Sequence, residues 1–156
     1  MDKSTPPLSF GIFKPVGHTV VAFRTDDELQ SAVSELLEQG FAATAFVHYT
    51  AAEMKAQVDA ELLSVSPLAS LGYEIKLIQA FRALAETGCS FLVVNAPDDE
   101  RGARVAAVAQ SLNAVSVQHY GRFMIEDLTE PASTAAPVYE SFSRDAQSSA
   151  AGPTRR

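Results

Sequence analysis

Two His-Tyr dipeptides, His48-Tyr49 and His119-Tyr120, carry the side chains in this sequence best suited to chemistry. An imidazole that changes charge near neutral pH, set beside a phenol, can coordinate a metal, hold an anion or move a proton. Lys14 and His18, in Gly11-Ile12-Phe13-Lys14-Pro15-Val16-Gly17-His18, form a small positive cluster of the kind a basic loop closing over a ligand would use. The candidate ligand-binding residues are therefore His48, Tyr49, His119, Tyr120, Lys14 and His18. No third ligand stands at metal-like spacing from either dipeptide, so no metal site and no cofactor is expected. The plainer alternative is that each His-Tyr is the end of an amphipathic strand, with one side chain packed inward and its neighbour meeting water.

Other constellations reduce to structure. Asp26-Asp27-Glu28 and Asp98-Asp99-Glu100 resemble paired acids, but helix capping and compensation of the helix dipole account for both. Asn95-Ala96-Pro97 leads a strand into a helix start where backbone N–H groups hold anions in other proteins, yet the acids that follow would repel a phosphate. No G-x-G-x-x-G and no phosphate loop occurs. Cys89 opens an apolar strand with no base signature beside it, so packing is its default role. No catalytic set of nucleophile, base and orienting group can be assembled.

The elements that must position these residues occur twice. Val20-Val21-Ala22-Phe23, Asp26-Asp27-Glu28 and His48-Tyr49 are answered by Leu92-Val93-Val94, Asp98-Asp99-Glu100 and His119-Tyr120. The acidic triplets are offset by 72 (98 − 26) and the His-Tyr pairs by 71 (119 − 48). Each copy reads as strand, helix, strand. The first helix begins at Thr25 with Glu28 completing a capping box, carries Leu29, Ala32, Val33, Leu36 and Leu37 at helical spacing, and ends at Gly40. The second has Pro97 at its start and Val105, Val108, Ala109 and Leu112 on its buried face. Residues 115–120 alternate as an edge strand does, and residues 123–128 extend that strand or add a short one.

Two such β-α-β units predict an α+β fold, a ferredoxin-like sandwich with both helices on one sheet face, the first strands central and the His-Tyr strands at the edges. Edges lie on opposite sides of a sheet, which separates the two His-Tyr pairs unless a dimer brings them together. The rival architecture is a small doubly wound α/β fold. An insert, residues 50–88, lies between the repeats. Thr50 and Glu53 form a second capping box, Met54, Val58, Leu62 and Val65 follow at helical spacing, Ser66-Pro67 breaks the helix, and Leu77, Ile78, Phe81, Leu84 and Ala85 stripe another that ends at Gly88. That insert must cover the open sheet face or a partner. The domain is expected over residues 18–128, after a mobile lead-in (1–17, whose Leu8, Phe10, Ile12 and Phe13 are too apolar for a free tail) and before a disordered Ala/Ser/Pro-rich tail (129–156).

Over residues 18–128 the pattern resembles the small bacterial general-stress-protein (17M-like) domain family. The resemblance is carried by the opening strand, the acidic-capped helix ending in Gly40, the Phe91-Leu92-Val93-Val94 strand, the Pro97-Asp98-Asp99-Glu100 helix start and the Leu112-Asn113-Ala114 turn. It implies a stress-associated protein and supplies no catalytic residues. Where many relatives have a glycine-rich, membrane-seeking hairpin, this chain has two amphipathic helices, which speaks against a membrane role.

Composition sets the remaining bounds. The 156 residues are 47% hydrophobic and 20% charged, and the net charge of −7 disfavours nucleic acid and anionic lipid as partners. One cysteine precludes an internal disulfide, and no signal-like or membrane-spanning apolar run occurs, so a soluble cytoplasmic protein is expected. The functional expectations are a non-enzymatic, self-associating, stress-associated or regulatory protein; a small-ligand or metal sensor using a cleft between insert and sheet, walled by the His-Tyr residues; and, third, a small ferredoxin-like enzyme with a His general base.

Overall fold

The two central strands are apolar on both faces, and this dictates a layer of helices on each side. The computed structural model describes residues 1–9, 12–64 and 72–130. Its elements run β1 (Leu8–Ser9), β2 (Ile12–Phe13), β3 (His18–Phe23), α1 (Asp26–Glu38), β4 (Phe46–Tyr49), α2 (Ala51–Ser64), α3 (Tyr73–Glu86), β5 (Ser90–Asn95), α4 (Asp99–Ser111), β6 (Ser116–Tyr120) and β7 (Ile125–Asp127). The fold is α+β. Strands β4-β5-β3-β6-β7 form one open sheet in that order, and every neighbouring pair is antiparallel, which excludes the doubly wound alternative. Strands β1 and β2 form a separate short hairpin.

Side-chain alternation along β3 and β5 divides the core. Val21, Phe23, Leu92 and Val94 pack with α1 and α4, through Leu29, Leu36, Val105 and Val108. Val20, Ala22, Phe91 and Val93 pack with the insert helices, through Met54, Val58, Ile78 and Phe81. The insert therefore covers the sheet's own second face. Phe13, from the lead-in, is buried in that same layer.

Local sequence explains the helix ends. Thr25 Oγ1 accepts the Glu28 N–H at 3.2 Å while the Glu28 carboxylate accepts the Thr25 N–H at 3.2 Å. Thr50 and Glu53 repeat this box at 3.2 and 2.8 Å. Asp98, not Pro97, caps α4 by accepting the Arg101 N–H at 2.8 Å, so Pro97 stands one residue before the cap. Gly40 and Gly88 follow α1 and α3 with φ of 93° and 91°, the left-handed turn that favours glycine.

One strand position differs from expectation. β6 is not an edge, because β7 pairs with it through Tyr120–Ile125, His119–Glu126 and Gln118–Asp127. The expected break at Ser66-Pro67, Val65, the lead-in residues Phe10 and Gly11, and the tail from residue 131 lie outside the described residues.

Candidate functional site

The two histidines share a sheet face and do not meet. His48 stands opposite Leu92 and His119 opposite Thr19, both on the α1/α4 side. Strands β5 and β3 lie between their strands, a separation of about 14 Å at ordinary strand spacing. Each Nε2 faces the carboxylate of the first residue of its own repeat's helix: Asp26 at 3.1 Å from His48 and Asp99 at 3.7 Å from His119. Neither contact has hydrogen-bond geometry.

The surroundings of the two rings differ. His119 is 1% exposed, its Nδ1 lies 2.9 Å from Thr19 Oγ1, and its ring fills the space beside Gly102, where a Cβ would come within 2.7 Å of Nδ1. In the first repeat Leu29 occupies the helix position of Gly102, and Leu92 rather than a hydroxyl stands opposite the ring, so His48 stays half-buried. Thr19, His119 and Asp99 form the series of a nucleophile, base and acid. Thr19 has 0% exposure, so no substrate reaches its hydroxyl; Thr19 and His119 act as core packing, while Asp99 stands at the surface.

The tyrosines take the opposite face and converge. Phe13 meets Tyr49 and Tyr120 edge-on, with ring centroids 6.4 and 6.5 Å apart. Because helices cover both faces, neither member of His119-Tyr120 meets water, contrary to the amphipathic strand end expected there. Phe13 also donates its backbone N–H to Glu61 Oε2 at 3.0 Å, and Gln57 Nε2 donates to Glu61 Oε1 at 2.6 Å. Burial pushes the Glu61 carboxyl above the usual carboxylate range, against the pull of those two hydrogen bonds. The Tyr49 hydroxyl has no hydrogen-bond partner among the described residues, and burial, then the charges of Glu53, Glu61 and Asp2, push its phenol up. Lys3 Nζ lies 5.2 Å from the Tyr49 ring centroid and 2.9 Å from Glu53.

Lys14 and His18 flank the turn at Val16-Gly17. His18 begins β3, opposite Asn95 and Tyr120, and its Nδ1 lies 3.1 Å from the Val16 carbonyl. Burial lowers its pKa, partly offset by that bond. The Lys14 N–H donates to Pro7 O at 2.9 Å. The Gly17 N–H donates to Tyr120 O at 2.8 Å and the Ala96 N–H donates to Gly17 O at 2.9 Å, which holds the end of the lead-in against the sheet.

The described surface carries a separate cleft that includes none of the six sequence candidates. It has a volume of about 710 Å³ and lies between α3 and the β6–β7 edge. Leu77, Ala80 and Leu84 of α3 form an apolar wall, Gln118 and Ser116 of β6 line the sheet side, and Asp127 and Glu130 bring carboxylates. Gln118 is 4% exposed, and its Oε1 has no hydrogen-bond partner among the described residues; its Nε2 lies 3.5 Å from Ser116 Oγ. A buried amide oxygen left unpaired costs about 1–3 kcal/mol, and a donor brought to it offsets part of that cost.

The acidic side of the cleft is held in place by local bonds. Thr129 donates to Asp127 Oδ1 from its N–H at 3.0 Å and its hydroxyl at 2.6 Å, and accepts the Val117 N–H at 3.0 Å. Gln110 Nε2 donates to Leu128 O at 2.8 Å. The charge of Asp127 reaches Tyr73 at the start of α3, whose phenol is raised first by burial and then by that carboxylate.

Sequence reasoning passed over Gln118, Asp127 and Glu130. One signal was present: Gln118 shares the inward parity of Tyr120, and an inward amide needs a partner. Among the described residues no three His, Cys, Asp or Glu side chains gather as a metal site requires, and no helix is long and apolar enough to cross a membrane. Comparison with known proteins found no matching family model, no matching curated protein and no matching solved structure.

Proposed function

We propose that this protein binds a small molecule without transforming it, in the cleft between α3 and the β6–β7 edge. The observation that carries the proposal is Gln118, a buried amide on the sheet side of the cleft whose Oε1 has no partner among the described residues, set against an apolar wall. A few convergent polar groups in an apolar concavity of this size are the usual make-up of a ligand site. The binding reading is preferred to catalysis because the contact between a hydroxyl and an imidazole found among the described residues, Thr19 with His119, is sealed in the core. We read the strand order as a ferredoxin-like sandwich enlarged by β7 at one edge and by α2 and α3 on its second face. The stress-associated or regulatory role implied by the resemblance is one that a binding protein of this kind would serve.

The test is ligand-observed NMR of the full chain against a fragment library of mixed charge, with Ala83→Trp as the blocking variant, since Ala83 lines the cleft and is exposed. Binders that lose contact in Ala83→Trp are expected. A library without binders, or binders indifferent to that change, would overturn the proposal.

Self-association is a second reading, favoured by a different observation. Phe123 is 91% exposed at the turn between β6 and β7, with Met124 and Val16 also exposed.

A further inference from the structure

Resting on the cleft assignment, we infer that its ligand is an organic ammonium ion with an apolar body. Among the described residues the lining includes two carboxylates, Asp127 and Glu130, and no Lys, Arg or His. The unpaired group at its sheet side, Gln118 Oε1, accepts hydrogen bonds and cannot donate. An anion would meet two like charges and an acceptor. A neutral apolar molecule would leave the amide oxygen unpaired and would have no use for the carboxylates. An ammonium group supplies up to three donors and a positive charge.

The remaining polar groups narrow the assignment. Thr87 Oγ1 donates to Leu84 O at 2.7 Å and Thr129 Oγ1 donates to Asp127, so two of the three lining hydroxyls already have acceptors, and the third, Ser116 Oγ, lies 3.5 Å from Gln118 Nε2. The free acceptor capacity therefore concentrates on Gln118 and the carboxylates. The apolar body lies along Leu77, Ala80 and Leu84, from which it displaces water. The acidic side is pre-organised by the Thr129 and Gln110 bonds, so binding does not have to order it.

Three probes with nearly the same body and different heads test this on the full chain by chemical-shift titration: phenethylamine, 2-phenylethanol and 3-phenylpropionate. Phenethylamine is expected to bind about tenfold tighter than the alcohol, from two partly exposed charge contacts plus the amide acceptor, with the carboxylate weakest. Asp127→Asn with Glu130→Gln is expected to bring amine and alcohol to equal affinity. Gln118→Leu is expected to weaken both, since both offer a donor. Raising salt should weaken the amine and leave the alcohol unchanged.

Equal binding of the three probes, each lost in Ala83→Trp, would overturn the ammonium assignment and leave the cleft as the site. A preference for the carboxylate would do the same. If no probe binds and the mixed-charge library also lacks binders, the cleft proposal itself fails. Retained folding of Gln118→Leu is checked by its unfolding transition. Should that variant not fold, the Asp127→Asn/Glu130→Gln pair decides on its own, because both positions are at the surface end of the cleft.

Discussion

At the scale of single residues, Gly102 and His119 make one unit. Glycine inside a helix costs about 1 kcal/mol relative to alanine, so its presence in α4 requires a reason, and the imidazole occupying its Cβ position supplies one. Gly102→Ala is expected to destabilise by about 1–3 kcal/mol through overpacking, less the propensity gained. With His119→Ala in the background the sign reverses, and Gly102→Ala then stabilises by up to about 1 kcal/mol. Urea unfolding of the four-member cycle measures this, and additive effects would show that the two positions are independent. A second unit is Glu61. Its folded-state carboxyl titrates above the ordinary value of 4.5, so its contribution to stability is full below that pH and is lost as pH rises through the raised value. Glu53 runs the other way: the Thr50 backbone N–H donated to its carboxylate, then Lys3, hold it at about 2, so its contribution is present above 4.5 and lost as pH falls toward 2. Glu61→Gln is expected to remove the loss on the neutral side and raise stability at about pH 7. Denaturant unfolding across pH checks it, and a curve for the variant parallel to wild type would count against the assignment.

At the scale of elements, the insert helices belong to the core. Phe81 of α3 has no exposed surface and meets Phe91 of the central strand edge-on at 5.8 Å. Phe81→Ala is expected to cost about 3–5 kcal/mol, as much as a central-strand truncation would. Leu63, at the exposed end of α2, is expected to tolerate Ala within about 0.5 kcal/mol. Thermal or urea unfolding separates the two, and a Phe81→Ala cost below about 1 kcal/mol would mean the insert is peripheral. The helices and central strands were legible because their periodicity and caps are local: Thr25 with Glu28, Thr50 with Glu53, and the glycines after α1 and α3. The repeat also led to the antiparallel sheet. What the sequence concealed was non-local. The alternation in residues 115–120 reads as an edge because nothing local decides whether residues 123–128 extend that strand or turn back and pair with it, as β7 does. Once β7 is in place and the insert covers the second face, His119 and Tyr120 are both interior. The His-Tyr dipeptides drew attention by residue type, whereas the cleft is assembled from α3, β6 and the end of β7, which are far apart in sequence.

At the scale of the whole molecule, the covered sheet changes where self-association would occur. The apolar insert faces, which were the sequence-based reason to expect an oligomer, are spent against β3 and β5. Sheet-edge pairing through β7 is opposed by its own acids, since an antiparallel pairing of two copies centred on Glu126 sets like charges opposite each other. Among the described residues the turn bearing Phe123 and Met124 is an exposed apolar patch, with Val16 adjoining through the Gly17 N–H bonded to Tyr120 O at 2.8 Å. A patch this small supports only weak association. Each copy also carries a net charge of −7, so two copies repel at low salt. Sedimentation velocity is therefore expected to show monomer at low ionic strength and a weak, concentration-dependent dimer as salt screens the repulsion over a Debye length of about 8 Å near physiological strength. Phe123→Ser is expected to abolish that dimer, while Leu37→Ser, at an exposed apolar position on α1, leaves it intact. Dimerisation that weakens with salt would mean an ion-paired interface, and a dimer that survives Phe123→Ser would place the contact elsewhere.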